Sequence, residues 1–313
     1  MDMPLKCKIC EKDFNKKSGL HIHIKRGHKT ELKSYYKKYY PKKSKLYGKT
    51  IPFKNADDYI NKDFISRQEL IEWCEKEDSK IVKPYIKNLL IKRKDQKNIK
   101  YSLSEIELEL CEFPNIDSYK NVFGSYSDIC KEIKLNPFLN KNIPKDFFEE
   151  KDEENQMEIF VDTREQKPIK FTNKEFMKLD FGDYTCGGDC YDYTYIDRKN
   201  EQDFKSTLSG DNFERFKREI ERARDFNSYI FIGVESSIEK IKTNNNFGAH
   251  KHKLPYIWHN LKLISQEYKD VCQFVFTYNR AGLKKLIPKL LFYGKDLWRV
   301  DLQYFINKKI NGN

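Results

Sequence analysis

Between Val161 and Asp203 the chain carries three charged clusters in order, VDTRE, then FGDY, then IDRKNEQD. They gather Asp162, Asp183 and Asp197 with Arg164, Arg198 and Lys199, and Glu165 and Asp203 flank them. These residue types suit metal-assisted hydrolysis of a phosphodiester. The reaction needs a hard cation to neutralise anionic oxygens and to lower the pKa of an attacking water. Mg2+ (or Mn2+) is held by one or two carboxylates while it keeps several waters. Asp162, Asp183 and Asp197 could supply those oxygens. A lysine beside the ion can orient the water or stabilise developing charge, and an arginine can grip phosphate oxygens in pairs. Lys199 and Arg198 are placed for these tasks.

The elements that must position these groups are short strands. EIFVD (158–162) and YTYID (193–197) alternate as strands do, and each ends in a carboxylate where the strand runs out toward a loop. Catalytic groups commonly sit at such strand ends in α/β sheets. In a chain that is 35% charged, any one of these acids alone reads as solvated surface. Three linked clusters in order do not.

The string resembles the signature of the XPF/Hef family of nucleases, V-D-x-R-E, then G-D-Y, then E-R-K-x3-D. Asp162, Arg164 and Glu165 match the first part, Gly182, Asp183 and Tyr184 the second, and Arg198, Lys199 and Asp203 the third. The resemblance covers roughly Met157 to the C-terminal region. It implies a fold like that of PD-(D/E)xK restriction nucleases, with a divalent metal held mainly by Asp183 and Asp197. The family's glutamate is Asp197 here, one methylene shorter, which implies weaker or altered metal binding. Family precedent also implies a homodimer through the nuclease domain, since one site cuts one strand.

The rest of that segment reads as one α/β domain. Phe213, Phe216, Ile220 and Ala223 recur at helical spacing, with Arg215, Lys217, Arg218, Arg222 and Arg224 on the other faces. Strands YIFIGV (229–234) and QFVFT (273–277) follow, alternating with helices.

Near the N-terminus, Cys7 and Cys10 form C-x2-C and are followed by Phe14, Leu20, His23 and His28. The pattern resembles a C2H2 zinc finger. Two thiolates and two imidazoles bind Zn2+ tetrahedrally, and Phe14 and Leu20 supply a core too small to hold a fold without the metal. The three helix positions with which such fingers read bases fall on Lys16, Gly19 and Ile22, and the last two offer almost no hydrogen bonding. Backbone or partner contact is the better expectation. His21 reads as a bystander.

Charge is concentrated beside the finger. Residues 1–50 hold 14 lysines and one arginine against four acids, a surplus of +11 within the chain's +12. Lys16, Lys25, Arg26, Lys37, Lys38, Lys42 and Lys43 are candidate DNA contacts. KSYYKKYYPKKSK interleaves tyrosines with lysines, which suits phosphate contact with stacking on sugar or base, or a helix with a wet basic face. No clean amphipathic basic helix points to a membrane.

Residues 51–100 read as helical, with Ser66 and Glu69 as a capping box before LIEWC. The segment FPNIDSYKNVFGSYSDICKEIKLNP within 101–139 resembles a homing-endonuclease-associated repeat, a small helical DNA-binding module. Pro114, Tyr119, Phe123, Gly124, Ser125, Tyr126 and Leu135 carry the match, with Tyr126 in place of a tryptophan. By this resemblance Tyr126 joins the DNA contacts, and Ser125 with Asp128 caps the second helix. Two prolines and an acidic run mark a linker at 140–156 ahead of the nuclease segment, 157–313.

The composite is a multidomain α/β chain, a restriction-endonuclease-like core preceded by a zinc finger with its basic arm (1–50) and small helical modules. No signal peptide or membrane-spanning run appears, so an intracellular setting is expected. Of the eight cysteines, Cys7 and Cys10 are assigned to zinc, Cys74, Cys111 and Cys130 to cores, and Cys186 and Cys190 to a glycine turn. His250, His252 and His259 read as surface or phosphate contacts. The expected activity is metal-dependent DNA cleavage targeted by the N-terminal half, of a phage or mobile-element kind. The alternatives are a structure-specific nuclease acting on flapped or branched DNA, and a DNA-binding protein with an impaired site.

Overall fold

The computed structural model describes residues 5–139, 142–149, 151, 157–244 and 254–311. It divides into two compact units, Met1–Ile86 with Glu112–Gly124, and Lys87–Cys111 with Ser125–Asn313. The division crosses the segments drawn from composition, because 101–139 contributes to both units. Much of the 140–156 linker, and His250 and His252, lie outside the described residues.

Eight helices are described ahead of the sheet: α1 (Lys17–Gly27), α2 (Leu32–Tyr39), α3 (Ala56–Asn61), α4 (Arg67–Lys76), α5 (Ser79–Lys97), α6 (Glu105–Leu110), α7 (Ile116–Phe123) and α8 (Tyr126–Glu132). Their starts follow from capping. Ser66 accepts the Glu69 N–H at 3.2 Å, Asn115 accepts that of Ser118 at 2.9 Å, and Ser125 accepts that of Asp128 at 3.0 Å. Each side-chain oxygen satisfies a donor that the first helical turn leaves unpaired.

In the first unit, Leu20 and Ile24 of α1 pack with Tyr35 and Tyr36 of α2, Tyr59 of α3, and Ile51. Here the stacking role of the tyrosines is corrected. Tyr35 and Tyr36 are buried, with the Tyr35 hydroxyl accepting the Lys8 N–H at 2.8 Å and that of Tyr36 pairing with His21 Nε2 at 2.9 Å. Burial pushes the Tyr35 phenol up to about 12. A buried phenol ring has no free face to offer a base, so Tyr35 and Tyr36 are core, and His21 is the partner of Tyr36 rather than a bystander. Lys37, Lys38 and Lys43 are exposed. Lys42 turns inward instead, donating to Ile60 O at 2.7 Å and Asp63 Oδ1 at 3.2 Å.

The second unit is built on a six-stranded sheet. Its strands are β1 (Ile159–Asp162), β2 (Lys174–Met177), β3 (Tyr184–Cys186), β4 (Thr194–Lys199), β5 (Tyr229–Val234) and β6 (Cys272–Phe276), in spatial order β2-β1-β3-β4-β5-β6. β3 runs antiparallel to both its neighbours, while the β1–β2, β4–β5 and β5–β6 pairs are parallel. Helices follow at α9 (Glu201–Thr207), α10 (Gly210–Asp225), α11 (Ile238–Thr243), α12 (Leu254–Glu267), α13 (Arg280–Tyr293) and α14 (Leu302–Asn311). Strand alternation divides the core between the two faces. Ile230, Ile232 and Val234 pack with the Phe213–Phe216–Ile220–Ala223 stripe of α10 and with Ile257 and Leu261 of α12. Tyr229 and Phe231 face the other way, toward Leu283, Ile287 and Leu290 of α13. A strand covered on both faces is apolar at nearly every position, as YIFIGV is.

A buried polar joint ties the chain ahead of the sheet to the helices beside it. Lys269, buried, donates to Glu107 Oε2 at 3.0 Å and to Ser102 O at 2.6 Å, and the fully buried Glu107 also closes a capping box with Ser104. Removing the cation alone would leave a carboxylate buried without its charge partner. Lys269→Met is therefore expected to cost about 3–5 kcal/mol of stability, read from urea unfolding. A shift below about 1 kcal/mol would mean that Glu107 is satisfied without the lysine.

Tyr126 belongs to this packing as well. It is buried, and its hydroxyl donates to Leu103 O at 2.9 Å, which removes it from the DNA contacts. A tyrosine suits this position because its polar tip finds a carbonyl inside the fold.

Candidate active site and metal centre

The three charged clusters converge where β1, β3 and β4 meet. Asp183 precedes β3 and is locked into both ladders, donating its N–H to Ile196 O at 2.7 Å and accepting the Asp162 N–H at 2.9 Å. β4 runs two residues past the expected end, so Asp197 stands within the strand rather than at its tip.

Gly182 makes the turn into Asp183. Its φ is +57°, and a Cβ built there would lie 2.6 Å from Ile196 O. Both the left-handed backbone and the close approach require glycine. Gly182→Ala is expected to lower stability by about 2–4 kcal/mol and to displace Asp183. Thermal melts check this, and an unchanged melt would refute it.

Asp183 and Asp197 each have one oxygen tied and one open. Asp183 Oδ2 accepts the Arg198 N–H at 2.7 Å, and Asp197 Oδ1 accepts from Lys199 Nζ at 2.5 Å. Among the described residues nothing bonds Asp183 Oδ1 or Asp197 Oδ2. Burial, with the Asp197 charge beside it, pushes the Asp183 carboxyl up to about 8. Burial pulls the Lys199 ammonium down, but Asp197 and Asp183 outweigh it and hold it above its usual value. Two carboxylates crowded in a low-dielectric site, with one lysine between them, favour an added cation.

Asp162 is differently placed, and its reading as a metal ligand is corrected. Oδ1 accepts the Arg164 N–H at 2.6 Å and Arg164 Nε at 2.8 Å; Oδ2 accepts Arg164 Nη2 at 2.7 Å and the Leu179 N–H at 2.8 Å. Burial raises this carboxyl, yet the four bonds more than offset it and hold the group below its ordinary range. All four lone-pair directions are spent, so Asp162 braces the loop instead of facing an ion.

The arginines exchange their expected places. Arg198 is buried, paired with Glu165 Oε1 at 3.2 Å and Glu235 Oε2 at 3.3 Å, so its guanidinium cannot reach a phosphate. Glu165 is spent on that pair and on the Lys167 N–H, at 2.6 Å. Arg164 keeps 62% of its side chain exposed while anchored to Asp162. Asp203 lies in the first turn of α9, where the Asn200 side chain accepts its N–H at 3.0 Å.

Glu219 of α10 is the residue that the sequence reading passed over. Burial above all, and then the nearby Asp197 charge, raise its carboxyl, which the Lys199 and Arg222 charges only partly oppose. The signal was present: Glu219 falls three residues after Phe216 and one before Ile220, an acid on the edge of an otherwise apolar stripe.

In the first unit, one ligand atom each from Cys7, Cys10, His23 and His28 lie within 4.8 Å of one another. Cys10 Sγ is 3.2 Å from His23 Nε2 and 3.3 Å from His28 Nε2; the two imidazole nitrogens are 3.0 Å apart. A tetrahedral ion about 2.0 Å from nitrogen and about 2.3 Å from sulfur sets its donors roughly 3.3–3.8 Å apart, so the group fits one. Lys16, Lys25 and Arg26 of the adjoining helix are exposed.

No protein-family model matches the chain, and no curated protein matches it. Among solved structures it is similar to XPF from Aeropyrum pernix, with a TM-score of 0.33 and 18% identity over 50% of this chain and 74% of that one. It is also similar to XPF from Aeropyrum pernix in complex with DNA, with a TM-score of 0.32 and 18% identity over 43% of this chain and 62% of that one. Likeness this distant leaves the function to be argued from the residues of the site.

Proposed function

We propose that the chain is a metal-dependent DNA endonuclease, with Asp183 and Asp197 as its metal ligands. The observation that carries this is the pair of half-satisfied carboxylates, one oxygen of each fixed by Arg198 N–H or Lys199 and the other open, inside the motif that resembles the XPF/Hef signature. Bound Mg2+ or Mn2+ would neutralise phosphate oxygens and make water a better nucleophile. Lys199 holds Asp197 in place and offers its remaining N–H bonds to a water or to a developing oxyanion. Arg164, anchored but exposed, is the phosphate contact, while Arg198 and Glu165 keep the strand ends in register.

The Cys7–Cys10–His23–His28 group is assigned to Zn2+, which would fix α1 so that Lys16, Lys25 and Arg26 face the DNA backbone. Double-strand cutting would need a second copy of the site, which a homodimer would supply.

Labelled duplex, nicked, flapped and forked DNA incubated with Mg2+, Mn2+ or neither tests the reading. Cleavage of any substrate that depends on added Mg2+ or Mn2+, with zinc retained throughout, supports it. Tight DNA binding with no cleavage in either metal would overturn it in favour of a binding protein.

A further inference from the structure

A second basic site lies on the same unit as the sheet, in a concavity of about 460 Å3 between the end of α5 with its following segment and α12. Arg93 and Lys97, one helical turn apart on α5, face it together with Lys100, and Lys262 and His259 face it from α12. Like charges one turn apart repel, and among the described residues none of Arg93, Lys97, Lys100 or Lys262 has an ion-pair partner. Of the two acids at hand, one is engaged elsewhere, and the other lines the concavity at its solvent side without an ion pair to these cations. Glu107 is taken by Lys269, Ser104 and Gln266, and Glu267 is exposed.

Two residues that line the same concavity each carry a buried polar atom without a partner, Arg93 Nε as a donor and Gln266 Oε1 as an acceptor. The Gln266 amide is oriented by its Nε2, which donates to Glu107 Oε1 at 2.6 Å, so its oxygen is left over. Burial above all, with Arg93 and Lys97 adding to it, holds the Lys262 ammonium below its usual range. A fold seldom keeps unpaired cations and orphaned hydrogen-bonding groups in one hollow unless something completes them.

We propose that this concavity binds a backbone phosphate of the DNA, with its sugar, as an anchor separate from the cleaving carboxylates. An anionic oxygen answers Arg93, Lys97 and Lys262 at once, and the volume suits a nucleotide-sized segment better than a bare oxyanion. The proposal rests on DNA being the ligand but not on cleavage.

The test is binding of a fluorescent duplex by anisotropy, with Mg2+ and Mn2+ left out and no chelator added so that no cutting occurs and zinc is retained, across a salt series. Wild type is compared with Arg93→Leu/Lys262→Met. The double variant should bind about tenfold or more weakly, with a salt slope shallower by about 1–2. Its melting temperature should equal or exceed that of wild type, because repulsion has been removed; a merely structural role predicts a lower one. Unchanged affinity and slope in a folded variant would overturn the proposal. So would a site that takes inorganic phosphate alone, seen as phosphate raising the melting temperature of wild type only, while both proteins bind DNA alike. Wild type that binds as described yet fails to cut would remove the catalytic reading and leave this one standing.

Discussion

Asp183→Asn is expected to slow metal-dependent cleavage about a thousandfold or more, an added barrier of about 4 kcal/mol. The substitution keeps the shape of the side chain and can still accept from the Arg198 N–H, so the turn stays in place. What it removes is charge. With one carboxylate left, the site no longer offers a divalent ion two anionic oxygens, and the scissile phosphate meets less neutralisation. The variant should melt no lower than wild type without metal, because two crowded acids become one. That separates lost chemistry from lost folding. Asp197→Glu, which lengthens the acid by one methylene, should retain cleavage and change only the metal concentration that it requires. Rates measured under single-turnover conditions over a Mg2+ series decide the matter. Full activity in Asp183→Asn would end the assignment.

Loss of the metal at the N-terminal group should unfold the first sixty or so residues together. Structural zinc in finger peptides contributes about 10–16 kcal/mol, as much as the whole stability of a typical domain. Cys10→Ser or His28→Ala, and strong chelation of the wild type, should each release one equivalent of zinc. They should also cut helical circular dichroism and expose the segment around Tyr35 and Tyr36 to proteolysis. The sheet unit has its own core and should keep its cooperative melt. Intact protein mass under native conditions gives the stoichiometry. A chain that carries no zinc yet resists proteolysis at Tyr35 would refute this.

Much of the fold was legible because it rests on periodic burial. YIFIGV occupies β5 over the residues expected, and all four apolar positions of the 213–223 stripe are buried. Caps at Ser66 and Ser125 were readable because their chemistry is local. β2 and β3 were not, since KEFM at an exposed edge and a three-residue YTC carry too little pattern. The site was half legible. Residue types and order located it, but how the charges pair is tertiary. No spacing rule separates Asp162, whose four bonds close within its own loop and the Leu179 turn, from Asp183 and Asp197, which keep an oxygen open. The buried Arg198 and exposed Arg164 were exchanged for the same reason, as the partner Glu235 lies on a distant part of the chain. Tyr35 and Tyr36 misled because tyrosine serves a core and a stacking surface equally well.

The packing of Leu20 and Ile24 against Tyr35, Tyr36, Ile51 and Tyr59 has a practical corollary for engineering. A segment closed only on its own metal and a few side chains could be transplanted as a short bead. Here the graft would have to extend through α3, because a shorter piece would expose an apolar face built to be covered. In exchange, the orientation of α1 is set by a shared interior rather than by a flexible tether. Exchange of α1 alone should therefore be poorly tolerated, whatever residues it presents.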